Sequence, residues 1–119
     1  MKREEQHLHQ TIAQYLESRC GGDAWFTTFP SGGGGRLRGA ILRGMGLKAG
    51  VPDILFIWKG RAYWVEVKAP KGKLSVSQIE CQMDLKQAGC EVATVRSVED
   101  VEDALCRWQI VVRAGVMIA

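Results

Sequence analysis

From Glu4 to Arg19 apolar residues recur at helical spacing: Leu8, Ile12, Tyr15 and Leu16 make one stripe, and Gly21-Gly22 ends it. Trp25 to Phe29 is a short aromatic and β-branched run, which predicts a strand. Ser31 to Gly39 is glycine-rich and predicts a mobile connector. Ala40 to Lys48 follows as a short helix, weakened by Gly44 and Gly46. Val51 to Trp58 is strongly apolar, Lys59-Gly60 is a turn signal, and Arg61 to Ala69 is again aromatic and β-branched. Together these read as a β-hairpin, closed off by Pro70. Ser75 to Ala88 carries Ile79, Met83 and Leu85 at roughly helical spacing, with Gly89 as the stop. Glu91 to Arg96 predicts a short strand. Ser97 then caps a helix whose stripe is Val98, Val101, Ala104, Leu105 and Trp108. The apolar tail from Ile110 to Ala119 reads either as a last strand or as a self-association surface. This order predicts an α/β fold, a mixed sheet covered by helices.

Composition narrows the possibilities. With 119 residues the chain suffices for one domain, 1–119, with a real core, and not for two. Its net charge of +3 permits a nucleic-acid partner where basic residues cluster but does not demand one. None of Cys20, Cys81, Cys90 and Cys106 forms a C-x-x-C pair, and His7 and His9 lie far along the chain from the last three, so zinc is not expected. Free thiols in a reducing cytoplasm are the simplest reading. The opening MKREEQHLHQ has no apolar stretch, so no export signal is expected. No apolar run approaches the ~18 residues that span a membrane. The glycine run is followed by Arg36-Leu37 and lacks the Lys-Ser/Thr pair of a nucleotide-cradling loop.

The chemistry concentrates in the hairpin. With Lys59-Gly60 as the turn, Trp58 faces Arg61, and counting back sets Asp53 opposite Glu66. Opposed residues have Cβ atoms about 4.5–5.5 Å apart. Side chains alternate faces, so Lys68 shares the face of Glu66. A slip of one residue would dissolve this grouping. Leu55, Ile57 and Trp64 fall on one side, and Ile54, Phe56, Val65 and Val67 on the other, which predicts a strand pair buried on both faces. Two carboxylates side by side in such a place disfavour joint ionisation and call for a cation beyond Lys68. Carboxylates without Cys or His are hard donors suited to Mg²⁺ or Mn²⁺, and the set suits phosphodiester hydrolysis. On its own the triple is equally an acid–lysine salt bridge at a sheet end.

Gly50-Val51-Pro52-Asp53, followed after a hairpin by Glu66-Val67-Lys68, resembles the PD-(D/E)xK nuclease superfamily. Lys73-Leu74-Ser75 with Gln78, and Glu5 with Leu8 and Ile12, are similar to its VRR-Nuc branch, the virus-type replication-repair nucleases. The similarity runs from about Glu5 to about Val98. It implies a restriction-endonuclease-like core. By that resemblance Asp53 and Glu66 hold the metal, with the Val67 carbonyl and the acidic Glu5 as further ligands. Lys68 orients or activates the water, and Gln78 projects toward that water or the phosphate. Short members of the branch are similar to dimeric junction-cleaving enzymes. The implied activity is therefore a homodimeric DNA endonuclease acting on branched DNA such as four-way (Holliday) junctions. The implied place is the cytoplasm of a bacterial or phage-infected cell.

Arg36, Arg38, Arg43 and Lys48, in or after the glycine-rich run, and Lys71 and Lys73, after the hairpin, are candidate contacts to DNA phosphates. A solvated basic loop is the alternative for each. His7 and His9 read as surface residues, and Trp25, Trp58, Trp64 and Trp108 as core or interface more readily than as base-stacking platforms. Two other functions stay open: a non-catalytic DNA-binding or assembly module of the same fold, and a nuclease on linear or single-stranded DNA.

Overall fold

Lys59 and Gly60 both take positive φ, 49° and 78°, the conformation of a two-residue turn whose twist matches the strands it joins. The chain was described in a computed structural model covering residues 3–20, 22–29 and 35–111. Around that turn β2 (Ile54–Trp58) and β3 (Arg61–Val67) pair antiparallel, Trp58 opposite Arg61 and Ile54 opposite Val65, as the turn position predicts. On one side β1 (Ala24–Thr28) adds antiparallel to β2, and on the other β4 (Glu91–Val95) adds parallel to β3. The order is β1-β2-β3-β4, a mixed sheet. The parallel pair requires a crossover, supplied by α3 (Val76–Gln87).

One face of the sheet carries Phe26, Ile54, Phe56, Tyr63, Val65, Val67, Ala93 and Val95. On it pack α1 (Arg3–Arg19), through Ile12 and Leu16, and α4 (Val98–Arg107), through Val101, Ala104 and Leu105. Ser97 accepts the Asp100 amide and caps α4 as its sequence predicts. Ser75 and Gln78 form a reciprocal capping box at the start of α3.

Two expectations need correction. The segment 35–39 is not a connector: with 40–44 it forms α2 (Gly35–Gly44), so Arg36, Arg38 and Arg43 are helical. Residues 31–34 of the glycine run and 112–119 of the apolar tail lie outside the described residues. The hairpin is not buried on both faces either. Leu55, Ile57 and Trp64, on the face away from α1 and α4, are only half-buried. Among the described residues α3 alone packs on that side, against β4, and leaves β1 and β2 open.

Candidate active site

Asp53 directly precedes β2 and continues its register, so it meets Glu66 at the C-terminal end of β3. The two acids brace each other through the backbone. The Asp53 amide donates to Glu66 Oε2 at 3.1 Å, and the Val67 amide donates to Asp53 Oδ2 at 2.9 Å. Both are nearly sealed from solvent, 4% exposed for Asp53 and 2% for Glu66. Burial, and next the neighbouring Asp53 charge, push the Glu66 carboxyl up from its ordinary 4.5 to about 8.

Two glutamines one helical turn apart on α3 stitch the helix to this end of the sheet. Gln78 Nε2 donates to Glu66 Oε1 at 2.6 Å, and Gln82 Nε2 donates to Thr94 Oγ1 at 3.1 Å. Thr94 lies beside Glu66 in the parallel register, so Asp53, Glu66 and Thr94 form a polar row across three strands. Gln78 thus reaches an acid of the pair, where a water or phosphate was expected. Gly50 allows this docking. It has φ +78°, and a Cβ there would lie 2.6 Å from the Gln78 nitrogen and closer still to the Ser77 carbonyl.

Lys68 shares the face of Glu66, but the carboxylate nearest its ammonium is Glu5, with Nζ 3.9 Å from Oε1. The same Glu5 oxygen accepts from the Ala69 amide at 3.4 Å. Between the two candidate acids of α1, Glu5 is the half-buried one that reaches the hairpin and Glu4 is exposed. Among the described residues no three acidic, His or Cys side chains converge as one metal-holding group, so Glu5 stands with Lys68, apart from the Asp53–Glu66 pair. His7 is exposed, and half-buried His9 has an Nδ1 without a partner.

Arg96, which sequence reasoning missed, fixes the turn after Lys68. Its Nη1 donates to the carbonyls of Ala69 (2.7 Å) and Gly72 (2.6 Å), while its amide donates to Asp100 Oδ2 at 2.8 Å. An arginine after an apolar strand has no signature in one sequence, because its partners are backbone carbonyls 24 and 27 residues away. Lys71 and Lys73 lie on or beside that turn.

Beside Asp53 opens a cleft of about 620 Å³, lined by Phe29, Arg36, Lys48, Asp53, Ser75 and Gln78 among others. Arg36 and Lys48 thereby share a cleft with Asp53, while Arg38 and Arg43 are exposed on α2. The donor set fits a hard divalent cation. Two buried carboxylate groups lie together, one of them kept protonated near neutrality by burial and by its neighbour, while the nearest ammonium is engaged by a third acid.

This is the site layout of a nuclease-type α/β fold. The chain matches the VRR-NUC domain model over residues 4–99 and belongs to that family, which is nuclease-related and has DNA as its expected substrate. Two solved structures share the fold. One titled "VRR_NUC domain protein" superposes with a TM-score of 0.71 at 17% identity, covering 91% of this chain and 89% of that one. Another, titled "VRR_NUC domain", gives 0.60 at 19% identity, covering 89% and 97%. No curated protein sequence matches the chain. No helix among the described residues is long and apolar enough to cross a membrane.

Proposed function

We propose that this protein is a Mg²⁺- or Mn²⁺-dependent DNA endonuclease, acting as a homodimer on branched DNA such as four-way junctions. The observation that carries the reading is the buried, mutually braced Asp53–Glu66 pair, whose Asp53 lines a cleft with Arg36 and Lys48. Asp53 and Glu66 would hold the ion, with the Val67 carbonyl as a further ligand. Bound there, a divalent ion supplies charge neutralisation at the phosphate and acidifies a water. Gln78 holds Glu66 in place by a hydrogen bond from its side-chain amide. Lys68, steered by Glu5, offers its ammonium to the charge that grows on the phosphate oxygens. Hydrolysis adds water across one P–O bond and leaves one phosphorylated end and one hydroxyl end. Arg36 and Lys48 in the cleft, with Arg43 on the Arg36 face of α2 and Lys71 and Lys73 after the hairpin, neutralise flanking phosphates and make binding weaken as salt rises.

The homodimer is supported by two exposed apolar stripes of opposite charge. On α2, Leu37 and Ile41, continued by Met45, are flanked by Arg38; on α3, Val76, Ile79 and Met83 are flanked by Glu80. A two-fold pairing can set the basic stripe of each copy on the acidic stripe of the other.

The test is cleavage of labelled four-way junction, linear duplex and single-stranded DNA with Mg²⁺, Mn²⁺ or EDTA. The parent cuts the junction only with metal. Asp53→Ala falls to background, and Lys68→Ala loses about 10²- to 10³-fold. Binding without cutting in either metal overturns the enzymatic reading in favour of a DNA-binding module. Cutting of linear or single-stranded DNA in preference to the junction overturns the branched-DNA assignment alone.

A further inference from the structure

The face of the sheet left open by the helices carries aromatic rings that run up to the carboxylates. Trp25 and Phe29 share that face of the β1 line, and they are 59% and 39% exposed. Phe29 is fixed at the site by its backbone: its amide donates to the Asp53 carbonyl at 2.8 Å. Its ring stacks on Trp64, with centroids 6.0 Å apart and planes 27° apart. Trp64 precedes Glu66 by two residues on the same face. Phe29 also forms one wall of the cleft that holds Asp53, with Arg36 and Lys48 among its other walls.

We infer that this cleft takes one unpaired nucleotide, with its base stacked on Phe29 and its phosphate held by Arg36 and Lys48 beside Asp53. The inference rests on the nuclease reading and deepens it by naming what the site grips; a four-way junction pairs every base, so the nucleotide taken there is one unstacked at the branch point. An exposed ring supported from behind by a second ring offers a flat apolar surface of the kind that unpaired bases cover. A paired base is not available for it, because both its faces are stacked within the duplex. The volume is in the range that holds a small ligand. Cations on one wall and an aromatic face on another match the two halves of a nucleotide. Stacking is indifferent to base identity, so the site distinguishes unpaired from paired nucleotides without reading sequence.

The experiment separates base from phosphate, using Ca²⁺ in place of Mg²⁺ to measure binding without turnover. Affinities are taken by fluorescence anisotropy for an oligothymidylate and for an abasic oligomer of the same length and charge. The parent binds the oligothymidylate about 5- to 100-fold more tightly. Phe29→Ala removes the difference and Phe29→Tyr keeps it. If Phe29→Ala fails to fold by circular dichroism, Phe29→Leu, which keeps apolar bulk without a π face, carries the same comparison. Equal affinity of the parent for both oligomers, or a preference that survives in Phe29→Ala and Phe29→Leu, overturns the inference. So does a Phe29→Ala protein that keeps the preference while light scattering shows a dimer turned monomer, since the rings then belong to a contact between copies. A parent that shows the preference but cuts nothing in Mg²⁺ removes the nuclease reading alone. One that cuts without showing the preference removes this inference alone.

Discussion

Glu66 accepts the amide of Asp53 and Asp53 accepts the amide of Val67, next to Glu66, so neither side chain can swing away without breaking a hydrogen bond to its partner's segment. That arrangement has a consequence for pH. Glu66 in the metal-free fold binds its proton more tightly than in the unfolded chain, about 8 against 4.5. Its contribution to stability is therefore complete below about pH 4.5 and is lost as pH rises through about 8. In EDTA the stability of the parent, followed by thermal melts, should fall between pH 5 and pH 8 relative to Glu66→Gln, by an amount on the order of a few kcal/mol. Saturating Mn²⁺ should restore the high-pH arm of the parent and not of the variant. Identical pH slopes for the two proteins in EDTA would sink the idea. The meeting of these two acids was legible in the sequence, because a two-residue turn and strict alternation determine which residues oppose. The tie of Gln78 to Glu66, and that of Glu5 to Lys68, was not, because each joins elements whose relative placement depends on packing.

At the scale of elements, α3 is placed by a close approach at its first turn. Gly50 lies against Ser77 and Gln78 with no room for a side chain and with a backbone that disfavours one. Gly50→Ala should cost roughly 1–3 kcal/mol in chemical denaturation and lower metal-dependent cutting more than its stability loss explains, because Gln78 leaves Glu66. A Gly50→Ala protein with parental stability and activity would show that the contact is slack. The glycine of the Gly-Val-Pro-Asp motif thus acts on the site through a helix more than twenty residues downstream. Most element boundaries followed from periodicity, from stop glycines such as Gly89 and from the Ser97 cap. The miss was the first half of α2, residues 35–39, whose two glycines have poor helix propensity and none of whose residues is buried, so no buried stripe announced it.

Across the whole molecule the sheet is asymmetric, with α1 and α4 sealing one face and α3 covering only the β4 side of the other. Sequence alternation identified the two faces of the hairpin but assigned burial to both, since apolar residues on an open face and on a covered face look alike in the chain. The proposed pairing of α2 with α3 of a second copy makes a prediction at this scale. Light scattering should give twice the 13.2 kDa chain mass. Ile41→Glu and Met83→Lys, which reverse the charge beside each stripe, should each give monomers with little change in thermal stability. A dimer that persists in both would place the contact elsewhere.

Arg96 gathers the Ala69 and Gly72 carbonyls with one nitrogen while its own amide is held by Asp100 on the first turn of α4. The backbone that follows Lys68 is therefore held from a helix on the far side of the sheet. Damage to that helix start, by a change that removes the Asp100 carboxylate, would be felt as a loosened lysine and silenced chemistry in a protein whose every cleft-lining residue is intact. Inactive variants of this enzyme need not map to its mouth.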